Sequence, residues 1–221
     1  MRIHVANPNG TEAMTATIAT AARAAAAPGT EIVATTATGA PASIEGPLDG
    51  AHATPFLLDR IAGTQADAHV IACFDDTALD AARALVRAPV VGIGEAACLL
   101  ATQLADSFCV VTSAAISVPV LEANLRRTGL IARCAGVRAA GVPVLEIGGH
   151  AAGAEDPVAE AVRRAARDHP GAALVLGCGG MAALAGDLSR ELGRPVIDGV
   201  AAAVVLAEGL ARLGHRTLRL A

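Results

Sequence analysis

Two stretches, Ala68-His-Val-Ile-Ala-Cys73 and Ala173-Leu-Val-Leu-Gly-Cys178, decide the fold. Each is a short apolar run that ends in cysteine and leads into a helical pattern, the signature of a buried strand followed by a crossover helix. The match continues downstream. Pro89-Val-Val-Gly-Ile-Gly-Glu-Ala-Ala97 follows the first cysteine much as Pro195-Val-Ile-Asp-Gly-Val-Ala-Ala-Ala203 follows the second, and each runs into an apolar helical segment, 98–105 and 204–211. It also continues upstream, where Val5-Ala-Asn-Pro-Asn9 and Val110-Val-Thr-Ser113 each carry a strand into a polar turn. The chain reads as two similar lobes of about a hundred residues, near the usual domain size.

Working outward, strands are expected at 3–6, 31–35, 70–72, 90–92, 108–112, 144–147, 173–176 and 196–197. Helices are expected near 12–26, 54–62, 77–86, 95–105, 118–128, 157–167, 181–192 and 200–213. Asp156-Pro157 is a helix start, a capping side chain followed by proline, and Gly193-Arg194-Pro195 is a helix stop. Strand–helix alternation with short apolar strands implies parallel sheets flanked by helices, so the class is α/β. If the two lobes face each other, their strand ends meet at one cleft, where the active site is expected. Lobe 1 takes residues 1–97, completed by the C-terminal segment 205–221, and lobe 2 takes 98–204.

Composition removes whole classes of chemistry. Among 221 residues, 17 basic side chains face 21 acidic ones for a net charge of −4, and every basic one is arginine. Without lysine there is no Schiff base and no P-loop. Tyrosine and tryptophan are absent and only three phenylalanines remain, so neither a phenol proton carrier nor base stacking is available. With no basic stripe, nucleic-acid binding is not expected. No apolar run reaches the ~18 residues of a membrane span. The start, Met1-Arg-Ile-His-Val5, does not read as a signal peptide. Five widely spaced cysteines do not make a disulfide framework, so a cytoplasmic enzyme is expected. Proton transfer is left to Cys, His, Asp and Glu.

Ligands of parallel α/β sheets bind beyond the carboxyl ends of the strands, where Cys73 and Cys178 stand. A helix amino terminus behind each thiol is expected to lower its pKa from ~8.5 and to supply thiolate at neutral pH. Two equivalent thiols facing across one cleft have the geometry a racemase needs: one removes a proton from a carbon acid, and the other returns one to the opposite face. Cys98, Cys109 and Cys134 lie inside apolar patterns and read as core.

The chain resembles the aspartate/glutamate/hydantoin racemase family, specifically its hydantoin and allantoin racemase branch. The residues that carry the resemblance are Asn7-Pro-Asn9 with Met14-Thr15, Ala72-Cys-Phe-Asp-Asp76, Pro89 to Ala97, Leu176-Gly-Cys-Gly-Gly-Met181 and Pro195-Val-Ile-Asp-Gly-Val200. The resemblance implies two pseudosymmetric lobes, no metal, no cofactor, and Cys73 and Cys178 as acid and base. Glutamate racemases are usually written Cys-Asn-Thr and Cys-Thr-His at the two sites. Here the sequence is Cys73-Phe74-Asp75 and Cys178-Gly179-Gly180, so the histidine helper is missing and the glycines leave room beside the second thiol. That fits a substrate whose α-proton is already acidified by a ring imide.

Carried over position by position, Asn7, Thr112 and Ser113 are expected to donate to substrate carbonyls. Backbone N–H groups at Phe74, Asp75, Gly179 and Gly180 are expected to cradle an enolate oxygen. Asn7 also belongs to an Asn-Pro-Asn-Gly turn, and Asp75 and Asp76 also read as caps of the helix starting near Thr77. Gly92-Ile-Gly94-Glu-Ala-Ala97 matches a dinucleotide fingerprint, but it is not at the first strand–helix turn and lacks the acidic residue about 20 positions on. The histidines His4, His52, His69, His150, His169 and His215 are scattered and lack zinc-site spacing.

Three functions follow: a two-thiol racemase of 5-substituted hydantoins or the related allantoin; an Asp/Glu-type amino-acid racemase or one-thiol decarboxylase or isomerase; and a non-enzymatic two-lobe ligand-binding protein. The first is the reading adopted, with a small-molecule substrate, no nucleic-acid or membrane partner, and a homo-oligomeric state.

Overall fold

The computed structural model describes residues 1–147 and 156–217. In its first half, β1 (Arg2–Asn7), α1 (Glu12–Ala25), β2 (Glu31–Thr36), α2 (Pro47–Gly63), β3 (Ala68–Ile71), α3 (Leu79–Leu85), β4 (Val90–Gly92) and α4 (Ile93–Leu104) alternate. The second half repeats the pattern with β5 (Ser107–Thr112), α5 (Val118–Arg127), β6 (Cys134–Ala139), α6 (Pro157–Asp168), β7 (Ala172–Gly177), α7 (Ala185–Leu192), β8 (Val196–Asp198) and α8 (Gly199–Arg212). The strands form two four-stranded sheets, ordered β2-β1-β3-β4 and β6-β5-β7-β8, with every pair parallel. Equivalent strands therefore occupy equivalent places.

The outer face of the first sheet is covered by α2 and α3 over Ala6 and Ile71, and that of the second by α6 and α7 over Val111, Leu174 and Leu176. The inner faces share one core. Val5 and Val70 of the first sheet and Val110 and Val175 of the second meet alanines of α4 and α8 there. The two helices cross over: α4 packs on β5 and β7, while α8 packs on β1, β3 and β4. Close approach requires small residues. A Cβ on Gly199, at the start of α8, would lie 2.7 Å from the Ile93 carbonyl oxygen at the start of α4. Alanine abundance is thus a packing requirement of the shared layer.

Several local expectations match. Asp156 caps α6, its Oδ1 accepting from Val158 N at 2.8 Å, with Pro157 in the first turn. Gly193 ends α7 in the left-handed region at φ 61°. Others need correction. Residues 144–147 are not a strand; Val144–Glu146 form a 3₁₀ turn. The missing strand is β6, at the sheet edge, where Gly136 and Arg138 interrupt the apolar pattern. Helix α2 starts seven residues before the expected 54, because Pro47 sits in its first turn and Pro55 is accommodated inside. The helix expected from 77 begins at Leu79, and the one expected from 181 opens as a 3₁₀ segment, Gly179–Leu184, before α7. His150 lies outside the described residues.

Candidate active site

The inner strand pairs β1–β3 and β5–β7 aim their carboxyl ends at one cleft between the lobes. From the first lobe it is lined by Asn9, Met14, Ile18, Ile44, Cys73, Phe74 and Asp75. From the second come Thr112, Ser113, Ser117, Val144, Cys178 and Gly179. The two thiols, expected from the repeat, are thus brought together, near enough for Cys178 to act electrostatically on Cys73. Gly177 lets the end of β7, just before Cys178, lie close against β5. A Cβ there would meet Thr112 Cα at 2.8 Å and Val111 O at 2.9 Å, both backbone atoms of β5.

The loop after Cys73 is contorted. Asp76 and Ala78 both adopt left-handed backbone, φ 50° and 55°, which costs a non-glycine residue of order 1 kcal/mol. This conformation turns Asp76 away from the cleft and onto α4, where Oδ1 accepts from Gly94 N at 2.9 Å and Oδ2 from Glu95 N at 2.8 Å. Asp76 therefore caps α4 rather than the helix that follows it. The arrangement also explains the glycines of the fingerprint. A Cβ on Gly92 would lie 2.1 Å from Asp76 Oδ1, and one on Gly94 would lie 2.3 Å from Phe74 O. The N–H groups that a phosphate would use already hold this carboxylate. In the second lobe Asp198 stands at the position of Gly92 and caps α8 itself, accepting from Val200 N and Ala201 N. One function is met from two places in the sequence.

Burial overturns the expected low thiol pKa. Cys73 is pushed well up, first by desolvation and then by the Asp75 carboxylate; the Thr77 hydroxyl and Asp75 N–H facing its sulfur offset this only partly. Cys178 is pushed up to about 11, first by burial, with the charges of Asp75 and Glu45 adding to it and the Gly180 N–H opposing it. The helix behind Cys73 begins only at Leu79 and is seven residues long, so no helix end abuts the sulfur. Both groups rest as thiols at neutral pH. Asp75 is itself raised to about 7 by burial.

The remaining expected residues separate by position. Thr112 and Ser113 line the cleft, 1 % and 2 % exposed, and Thr112 Oγ1 donates to Gly177 O at 3.2 Å. Asn7 stands one step behind it. Its amide donates to Asn9 Oδ1 at 2.8 Å and Thr15 Oγ1 at 2.9 Å, so it braces the turn whose Asn9 reaches the cleft. A methyl group at Gly179 or Gly180 would make only ordinary contact, at 3.5 Å from its nearest neighbour. Sequence reasoning missed Ser117, Ile44, Val144 and Glu45. Glu45 Oε1 accepts from Val144 N at 3.0 Å and so joins the two lobes beside the cleft. Nothing in the local pattern of these residues announces such a contact between distant loops. Among the described residues, no three His, Cys, Asp or Glu side chains are grouped to hold a metal ion, and no helix is long and apolar enough to cross a membrane.

Comparison with known proteins agrees with the geometry. The family model described as Asp/Glu/Hydantoin racemase matches residues 3–207. A hydantoin racemase of Rhizobium meliloti is 40% identical over 220 residues, covering 98% of this chain and 91% of its own. The allantoin racemase of Klebsiella pneumoniae superposes with a TM-score of 0.95 at 44% identity, covering 99% of this chain and 90% of its own. That of Pseudomonas fluorescens superposes at 0.91 and 41%, covering 99% and 94%. With two lobes, one cleft and relatives that match almost end to end, the chain belongs to the Asp/Glu/Hydantoin racemase family and is an isomerase.

Proposed function

We propose that the protein is a cofactor-independent, two-thiol racemase that interconverts the enantiomers of 5-substituted hydantoins. The observation that carries this reading is the pair of thiols at equivalent strand ends, Cys73 after β3 and Cys178 after β7, lining one cleft. One sulfur, as thiolate, takes the Cα proton; the electron pair moves onto the ring carbonyl oxygen; the other thiol delivers a proton to the opposite face. The N–H groups of Asp75 and Gly180 face the sulfurs and hold charge there when it forms. Those of Phe74 and Gly179 are assigned to the enolate oxygen, with Thr112 and Ser113 nearby for ring polar groups.

Relatives named hydantoin racemase and neighbours titled allantoin racemase support a hydantoin-ring substrate. The two classes differ at the 5-substituent. Met14, Ile18, Ile44 and Val144 give this cleft an apolar wall, which favours an alkyl group over the polar ureido group of allantoin. We further read lobe 1 as residues 1–97 with 205–221 and lobe 2 as 98–204, a division supported by α8 packing on β1, β3 and β4. A cytoplasmic homo-oligomer without nucleic-acid partners fits the chain. Leu99, Leu100 and Leu104 on α4, Val205 on α8 and Leu213 just past its end are exposed, the kind of patch that copies bury against one another.

The test is proton NMR of one enantiomer of a 5-alkyl hydantoin in D₂O, read alongside optical rotation. Racemisation removes the Cα proton signal and the rotation together. Exchange without loss of rotation contradicts two-sided proton transfer, and turnover of allantoin alone moves the substrate assignment to that compound.

A further inference from the structure

Among the described residues, the cleft contains one ionisable side chain that neither thiol chemistry nor folding accounts for. Asp76 has a structural task on α4, but Asp75 beside it has none: its Oδ2 is buried without a hydrogen-bond partner, and the side chain lines the cleft with both cysteines. Its backbone is already anchored, since Asp75 O accepts from Asn124 Nδ2 at 2.8 Å. A buried carboxyl oxygen left without a partner is destabilising, the more so if charged, so its retention asks for a partner that arrives with the ligand.

We propose that Asp75 acts as a neutral carboxylic acid whose O–H donates to the substrate carbonyl oxygen on which enolate charge develops. This rests on the two-thiol reading above. Among the described residues no arginine lines the cleft, and the chain has no lysine, so stabilisation of the enolate falls to neutral donors. A carboxylate in the same place would repel the enolate and oppose thiolate formation, because its charge raises both thiols. The groups around it favour the protonated form. Cys73 lies on its own loop, Cys178 at the end of β7 and Glu45 beside Cys178, and none of them is a cation. Burial holds the acid up to about 7. No proton is lost from Asp75 in the cycle. The C–H bond breaks toward one sulfur, the electron pair resides on the oxygen hydrogen-bonded to Asp75, and the second thiol restores the C–H bond.

The test compares wild type, Asp75→Asn and Asp75→Ala on 5-isobutylhydantoin, with melting curves as a fold control. In wild type, log kcat/KM rises with unit slope while thiolate accumulates and then bends to a plateau near pH 7, where loss of the acid cancels gain of thiolate. Asparagine donates a hydrogen bond without titrating, so Asp75→Asn stays within about tenfold of wild type at pH 7 and loses the bend. Alanine removes the donor and lowers kcat by about 10²–10³, with a smaller change in KM. An asparagine variant as inactive as the alanine variant would assign Asp75 an ionised role and overturn the proposal. A bend that persists in Asp75→Asn, or an alanine variant within about threefold of wild-type kcat, overturns it as well. Should Asp75→Ala fail to fold, the asparagine profile decides alone. Full activity in Cys73→Ser or Cys178→Ser refutes the two-thiol reading instead, so the two failures are distinguishable.

Discussion

Iodoacetamide should alkylate Cys178 slowly, at a rate that keeps climbing with pH. Burial outweighs the Gly180 N–H and raises this thiol to about 11, so at pH 8 only on the order of one molecule in a thousand carries thiolate. A free thiol near ~8.5 is about a quarter ionised at that pH, a deficit of roughly 200-fold. The more basic thiolate is also the better nucleophile, by about tenfold for a Brønsted slope of ~0.45, which leaves Cys178 about 20-fold slower than a small free thiol before any steric hindrance. Because access is independent of pH, the slope isolates ionisation from hindrance. Timed labelling between pH 7 and 10, read by mass spectrometry of the Cys178 peptide, should show a tenfold gain per unit with no plateau. A plateau near pH 7 would refute the account, since the 3₁₀ turn and Gly180 N–H would then outweigh desolvation.

Other consequences follow from the same contacts. Asp76→Ala strips the carboxylate from Gly94 N and Glu95 N and should cost about 2–4 kcal/mol in urea unfolding, with Asp76→Asn recovering part of it. Gly177→Ala drives a methyl into backbone atoms of β5 and should cost about 1–3 kcal/mol while displacing Cys178 and lowering kcat; unchanged stability would mean that the strand ends part freely. His4 and His69, paired through Nδ1 at 2.9 Å inside the first sheet, are lowered to about 3 and about 4, chiefly by burial. Their ring nitrogens should therefore show no titration by NMR above about pH 5. The unfolded chain binds protons first, so their share of stability is whole above 6.5 and is lost as pH falls through about 4 for His69 and toward about 3 for His4. The raised carboxyls of Asp75 and Asp76 act in the opposite sense, losing stability as pH climbs toward 7.

The repeat made the fold legible, because a parallel strand buried on both faces leaves an unbroken apolar run and the two cysteine-ended runs are such strands. It hid β6, an edge strand in which Val137 alone is buried, so the apolar pattern there is weak. It could not show the crossover of α4 and α8, which depends on Gly199 meeting the Ile93 carbonyl across the shared core. Of the site, the thiols were readable from their matched positions. Their ionisation was not, because burial is a property of the assembled cleft and outweighs the local turn. Asp75 and Asp76 stand side by side and look interchangeable in sequence. Only the left-handed backbone at Asp76 sends one to a helix end and leaves the other facing the thiols.

The most direct test of the two-thiol account follows each enantiomer of a 5-alkyl hydantoin separately by NMR in D₂O with Cys73→Ser and Cys178→Ser. The account predicts that neither variant racemises, and that any remaining Cα exchange is confined to one enantiomer, the opposite one in each variant, because each lobe keeps a base on one face. Normal racemisation by either variant, or exchange of both enantiomers by a single remaining cysteine, would contradict it.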